Sequence, residues 1–483
     1  MWRFTKKTLG FWLALGLVQY ASAFSMLGPF ANDSGFLWQT APLGYNQPGD
    51  IGGPMNIAQE YRFNVRNLYY AFDPTFLQFF GTRGAEEVEK AVKVLNDLPP
   101  VSQINIDDYP LKSERFNHQA AALGLIDLKT ATLIVLVEEM GLADCERYVF
   151  TLRHRWIDSV PTTNYTVIKR NFDPVTLRPS SYVNGDLWTY NTIFDDQNAP
   201  YAAPQNLRVD PLAYGDPVAS AYGYFSGSVV GRYYTALTRD DVGGLKYMYS
   251  PLTRKVESAP TNSFGGFGGS VPSGGGGTDG GSPWTPVFVP TTNAAGTGTN
   301  VITGPLGTNF IADPVIRGGA DKIRFVRINF DSLVGQALTP VLDSWTDNFI
   351  TNGAARSQAV RRWVNLPDIL FSAADFSGDG GALPAASGGA IARNPSFVNE
   401  WQLNTSLGAP QNAGPGTVQP GIIVTYNTVG LMVYNGYWPF NLSEDTGAPF
   451  VVWGSFDGTT NAPVLYPNNI TIGDLERLIL GGR

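Results

Sequence analysis

Leu237-Thr238-Arg239-Asp240-Asp241-Val242-Gly243-Gly244-Leu245-Lys246-Tyr247-Met248-Tyr249 is the run on which the fold class turns. Thr238 carries the short oxygen-bearing side chain of a helix N-cap, and Asp241, three residues on, is its capping-box partner. Val242, Leu245 and Tyr249 then recur at helical spacing and form the expected buried stripe. Asp240 and Asp241 are adjacent on that helix and so leave it in different directions. As a pair they serve the helix start rather than an acid–base centre.

Toward the N-terminus, Asn67-Leu68-Tyr69-Tyr70-Ala71-Phe72-Asp73 alternates and is rich in aromatics, which predicts a strand ended by Pro74. A helix is expected from Gly84, with Glu86, Glu87 and Glu89 in its first turns and Val88, Ala91, Val92 and Leu95 on its apolar face. It stops before Pro99-Pro100. Residues 123–140 predict a second helical region, closed by Gly141. The adjacent pair Glu138-Glu139 lies on its solvated edge. Cys145 follows closely, where a buried inert thiol is expected and interchain pairing is the alternative.

Toward the C-terminus, residues 258–320 are dominated by Gly, Ser, Pro and Thr and read as a flexible linker, with 284–290 its more apolar part. Beyond it, Lys322-Ile323-Arg324-Phe325-Val326-Arg327-Ile328-Asn329-Phe330 alternates with period two, as a half-buried strand does. Short apolar runs follow at 369–371, 421–426, 431–434 and 450–453, and a short helix is expected over 472–480. The expected organisation is α+β: an N-terminal α+β domain over 24–257, the Gly/Ser/Pro-rich linker over 258–320 and an all-β sandwich domain over 321–483.

In these 483 residues apolar side chains make up 43%, ample for packed cores, and charged ones 15%, against a usual share of about 25%. The net charge of −8 and the lack of a Lys/Arg cluster argue against a nucleic-acid partner. Residues 1–23 read as a secretory signal peptide, with Arg3, Lys6 and Lys7 ahead of an apolar run from Leu9 to Val18 and the small-x-small site Ala21-Ser22-Ala23. Cleavage is expected before Phe24. The run is shorter than the roughly 20 residues a membrane span needs, so no transmembrane segment is expected after signal cleavage. The destination is extracellular or at the cell surface. A single cysteine excludes an internal disulfide.

Three pieces resemble, in order, the matrixin type of zinc metalloprotease: Tyr69 to Pro74 followed by Val88 to Leu95, then Met140-Gly141-Leu142, then Leu237 to Tyr249. The resemblance implies a zincin-like N-terminal domain. The family's H-E-x-x-H-x-x-G-x-x-H signature, placed on Gly141, puts Ile134, Glu138 and Asp144 at the ligand positions and Val135 at the catalytic base. Two of those four are apolar, so the resemblance implies a pseudoenzyme scaffold that cannot hold zinc. The whole chain also resembles uncharacterised large secreted proteins of Verrucomicrobia-like bacteria through Leu68 to Asn96, Asn164 to Pro174, Thr238 to Tyr249 and Trp453-Gly454-Ser455-Phe456-Asp457.

The only histidines, His118 and His154, do not stand at ligand spacing, and no G-x-S-x-G elbow exposes a serine. Asp375-Phe376-Ser377-Gly378-Asp379-Gly380 matches the opening half of a calcium loop, with Asp375, Ser377 and Asp379 as ligands, although Ala386 stands where the loop's last Glu belongs. An Asp/Gly-rich turn that binds nothing is the competing reading, and no other cofactor is expected. Trp188 with Tyr190, and Tyr437 with Trp438, are candidate glycan-stacking rings, with sheet packing as the alternative. The composition and missing signatures lead to an expected role as a secreted, non-enzymatic structural or cell-surface-associated protein working in assembly, adhesion or coat. Its expected partners are itself, other surface proteins or glycans. The alternatives are an extracellular hydrolase acting on polysaccharide or protein through carboxylates the sequence does not place, and a glycan-binding protein.

Overall fold

The computed structural model describes residues 22–26, 56–57, 62–63, 65–158, 163–196, 201–220, 230–257, 302–303, 309–310, 315–331, 333, 336–351, 353–364, 367–371, 392–393, 417–419, 452–467 and 471–474. The fold is mixed α+β, with many strands and few helices. In chain order, the elements that build its core are β1 (Phe24–Met26), β2 (Asn67–Phe72), α1 (Pro74–Asn96), β3 (Leu125–Asp127), α2 (Leu128–Glu139), β4 (Leu142–Ala143), β5 (Asn171–Phe172) and α3 (Arg239–Tyr249). They continue with β6 (Arg324–Arg327), β7 (Val341–Thr351), β8 (Ala354–Val364), β9 (Ile369–Phe371) and β10 (Val452–Ser455).

The helix expected from Gly84 begins at Pro74. Asp73 caps it, its side chain accepting the Phe76 N–H, and Pro74 occupies the first turn, where a missing N–H costs nothing. Gly81, with φ 64 and ψ −168, kinks the helix and permits the longer run. The extra turns bury Phe76 and Phe80 completely. Each such ring stabilises the fold by about 1.5–3 kcal/mol.

The second expected helix is shorter than its periodicity. Leu125–Asp127 forms β3, and the buried Asp127 carboxylate accepts the Thr130 N–H at 2.9 Å and the Thr130 hydroxyl at 2.7 Å, starting α2 only at Leu128. Gly141, at φ 101, lets the chain turn out of the helix into β4.

Strands from far apart in the sequence share sheets. β2 lies between β6 and β9, parallel to both, with Phe325 opposite Leu68 and Phe371 opposite Phe72. β10 runs parallel to β3, with Trp453 opposite Ile126. Lys255–Glu257, Val315–Arg317, β7, β8 and Thr417–Gln419 form a five-stranded sheet around the β7–β8 hairpin. The segments on either side of the Gly-rich stretch thus build three sheets together. An aromatic chain fills the joint: Phe76 lies 4.7 Å from Phe80, Phe80 5.1 Å from Tyr466, and Phe72 stacks on Phe371 at 5.4 Å, centroid to centroid. Phe80→Ala would cost about 3–5 kcal/mol. Arg317, buried, forks onto Asp347 with two bonds of 2.9 Å and fixes Val315–Arg317 against β7.

Near the other end of the core, β1 is the middle strand between β4 and β5. α3 packs on β1 through Gly244, where a Cβ would lie 2.6 Å from Leu142 Cδ2 and 3.0 Å from Phe24 Cβ. The expected strands at 421–426 and 431–434, the apolar stretch 284–290 and the helix beyond 474 lie outside the described residues, while 452–455 is the strand β10.

Candidate functional site

The polar groups of the N-terminal half converge on the start of α3. Thr238 and Asp241 form the expected capping box. Asp241 does more than cap: one carboxylate oxygen accepts the Thr238 hydroxyl at 2.6 Å and the Val218 N–H at 3.0 Å, and the other accepts the Ala219 N–H at 2.9 Å. Asp240 points elsewhere, accepting the Asn184 N–H at 2.6 Å, the Ser22 hydroxyl and the Ala23 N–H. Burial raises both carboxyls, that of Asp240 to about 7 despite these donors.

The turn after β4 supplies the next layer. Asp144 accepts the N–H groups of Glu146 at 3.0 Å and Arg147 at 3.1 Å, which folds the turn. The Cys145 N–H reaches the Ser220 hydroxyl at 3.1 Å, and the thiol lies 3.0 Å from the same oxygen. Burial pushes the Cys145 thiol well above its usual range, so it is a buried and unreactive thiol, as the sequence leads one to expect.

A chain of charges extends from there. Arg208 Nη2 donates to Glu146 Oε1 at 2.6 Å and also to Asp216. Arg232 Nη1 lies 3.3 Å from Asp216 and 3.1 Å from Glu114, whose other oxygen accepts the Asp216 N–H at 3.1 Å. Three acids thus face two guanidinium groups. Burial and then Asp216 raise Glu146 well above the usual carboxylate range, and the same two causes raise Glu114. Each guanidinium bridges two of the acids, Arg208 joining Glu146 to Asp216 and Arg232 joining Asp216 to Glu114, and this shared pairing offsets the cost of burial.

Of the residues placed by the protease alignment, Ile134 and Asp144 have described side chains, and neither faces a metal centre. Ile134 is 1% exposed and belongs to the hydrophobic core, and Asp144 is engaged by its own turn. Val135 and Glu138 lie on α2, their side chains outside those described. His118 is exposed on a five-residue helix, its ring 4.8 Å from Phe116. His154 sits in the strand Thr151–Ile157, opposite Thr166. Among the described residues no group of three or more His, Cys, Asp or Glu is placed to hold a metal, and no helix is long and apolar enough to cross a membrane.

Trp188 and Tyr190 alternate with outward residues on one long strand and differ in exposure. Trp188 is 4% exposed, packed with Cys145, Val149 and Val183 and covered by the Arg208 guanidinium 5.1 Å from its ring, so sheet packing accounts for it and it offers no face to a sugar. Tyr190 is 38% exposed and rests on Phe150 at 5.1 Å. Asp375, Ser377, Asp379, Tyr437 and Trp438 lie outside the described residues.

Sequence reading missed the Glu114, Glu146, Arg208, Asp216 and Arg232 cluster. The one local signal was the charged group Asp144, Glu146 and Arg147 interrupting the otherwise apolar stretch between Leu142 and Val149. No protein family, curated protein or solved structure matches the chain.

Proposed function

We propose that this chain is a secreted, non-enzymatic structural or cell-surface-associated protein that works by assembly or adhesion. The observation that carries the reading is an apolar outer face on the hairpin Asp186–Asp196 and Tyr201–Arg208. Leu187 and Leu207 on that face are 41% and 39% exposed, and Val209, bonded to Leu187 across the ladder, is 52% exposed. Leu212 and Tyr214, a few residues further along the chain, are also exposed. Such a face, next to a ladder edge, favours contact with another chain. The buried acids around α3 support the same reading, since Asp144, Asp240 and Asp241 accept backbone N–H groups and Glu114, Glu146 and Asp216 pair with arginine.

The architecture we propose is a zincin-like scaffold without its zinc ligands and a β-sandwich, the two sharing three sheets across the Gly-rich segment and so not standing as separate domains. The capped α3, the Gly141 turn and Ile134 in the core support the first part. The β7–β8 hairpin and its neighbouring strands support the second.

The test is light scattering with metal analysis on the purified chain, beside Leu207→Asp and Val209→Asp. We expect multimers without zinc, reduced to monomers by either substitution. Stoichiometric zinc with peptide hydrolysis would overturn the reading. A second reading, an extracellular hydrolase acting through carboxylates, draws on Glu146 and Asp216, two acids brought together on the Arg208 guanidinium. Release of reducing sugar that is lost in Glu146→Gln would put it first.

A further inference from the structure

Among the described residues, nine of the sixteen exposed large apolar side chains lie between Val175 and Tyr214. The ladder registers arrange part of that group. Leu187 stands opposite Tyr182 on one side, and on the other its carbonyl accepts the Val209 N–H. Tyr182 is 37% exposed, so Tyr182, Leu187 and Val209 form an outward row across three strands. Leu207, opposite Thr189, lies beside the row. Strand alternation sends Val183 and Trp188 into the interior beneath it.

The outward positions of this face, Tyr182, Leu187, Thr189, Gln205, Leu207 and Val209, carry no charge. Its charged neighbours are engaged elsewhere, Asp186 by Lys112 at 3.5 Å and Arg208 by Glu146 at 2.6 Å. The chain as a whole carries −8, so two copies repel where their charged surfaces meet. An uncharged apolar face is where that repulsion is weakest and where burial gains most. The same net charge disfavours an anionic lipid or an acidic glycan as the occupant.

We propose that two copies of this chain pack face to face on the row Tyr182, Leu187 and Val209, related by a two-fold axis that runs along the strands beside Leu187. The proposal rests on the reading of the chain as an assembling protein and names the partner of that face. Leu187 is on the middle strand of the three, so the rotation sets it against its own copy. The Tyr182 flank of one copy then covers the Val209 flank of the other. A tyrosine ring on an aliphatic side chain is the kind of contact that the buried centre of an interface favours.

The experiment is light scattering on the purified chain over a range of protein and salt concentrations, beside Leu187→Asp and an oxidised Leu187→Cys. We expect a dimer whose share rises with salt, because salt screens the repulsion between two acidic copies. Leu187→Asp should raise the concentration needed for dimers at least tenfold. Leu187→Cys should form a disulfide-linked dimer with itself, while the parent, whose one thiol is the buried Cys145, should not. The cross-link is a readout that holds if Leu187→Asp does not fold. A dimer that ignores Leu187→Asp and leaves Leu187→Cys unlinked would sink this contact and leave assembly standing. A monomer at every concentration would sink both. Capture of the parent, but not of Leu187→Asp, by phosphatidylcholine vesicles would give the face to lipid and overturn the proposal.

Discussion

The carboxylate of Asp241 accepts the backbone N–H of Ala219 at 2.9 Å and that of Val218 at 3.0 Å, so the start of α3 and the loop before Ser220 are one structural unit. Replacing Asp241 by alanine strands these buried donors and removes half of the capping box. We expect a loss of about 2–4 kcal/mol, from the combined cost of a lost cap and unsatisfied buried N–H groups. Urea unfolding of Asp241→Ala measures it, and a loss below about 1 kcal/mol would contradict the role given to Asp241.

Gly244→Ala separates packing from helix propensity. Alanine in mid-helix is favoured over glycine by about 1 kcal/mol, yet its methyl would stand 2.6 Å from Leu142 Cδ2 and press on Phe24. Overpacking of this kind costs about 1–3 kcal/mol, so the variant should be less stable than the parent. A higher unfolding midpoint would mean that α3 has room to move off β1.

Asp127 gives a pH dependence of known sign. Burial raises its carboxyl from 3.8 to about 6 in the folded chain, against the pull of Thr130 and Phe456 and with a small push from Glu87. The folded state therefore holds this proton more tightly than the unfolded one, and stability falls as pH rises from 3.8 to about 6. Asp127→Asn lacks that titration. The stability of the parent relative to the variant should fall across the window by at most roughly 3 kcal/mol, and denaturant melts at pH 4 and pH 6.5 would show a flat difference if burial did not govern Asp127.

Cys145 should report global unfolding. Its thiol is 2% exposed, contacts Ser220 and is held above its ordinary range by burial. A thiol reagent at pH 8 should leave the native chain unlabelled for hours and react at once in denaturant. Prompt labelling of the native protein would show that the turn after β4 opens on its own.

Local signals in the sequence were read well where the structure they specify is local. Thr238, Asp241, Val242, Leu245 and Tyr249 lie within one helix and fixed its start and buried face. Gly141 marked the end of α2 for the same reason. The start of α1 was misplaced because Phe76 and Phe80 carry no charge pattern, although Asp73-Pro74 held the capping signal. The parallel partners of β2 were invisible: nothing in Asn67–Phe72 states that it pairs with Arg324–Arg327 and Ile369–Phe371 rather than with a neighbour in sequence. The charge cluster was out of reach for a similar reason, since Glu114, Glu146, Arg208, Asp216 and Arg232 come from separate turns and strands.

The position of β2 between β6 and β9 also sets an order in time. A ribosome adds about 5–20 residues each second, so β2 leaves it on the order of tens of seconds before β6 exists. During that interval both edges of β2 lack their final partners, and the aromatic side chains of α1 lack Phe371 and Tyr466 to close over them. The N-terminal half cannot complete its core while the chain is still being made. A protein that must pass through a membrane channel unfolded gains from this delay, and one whose release is slow becomes dependent on chaperones that cover an open sheet edge.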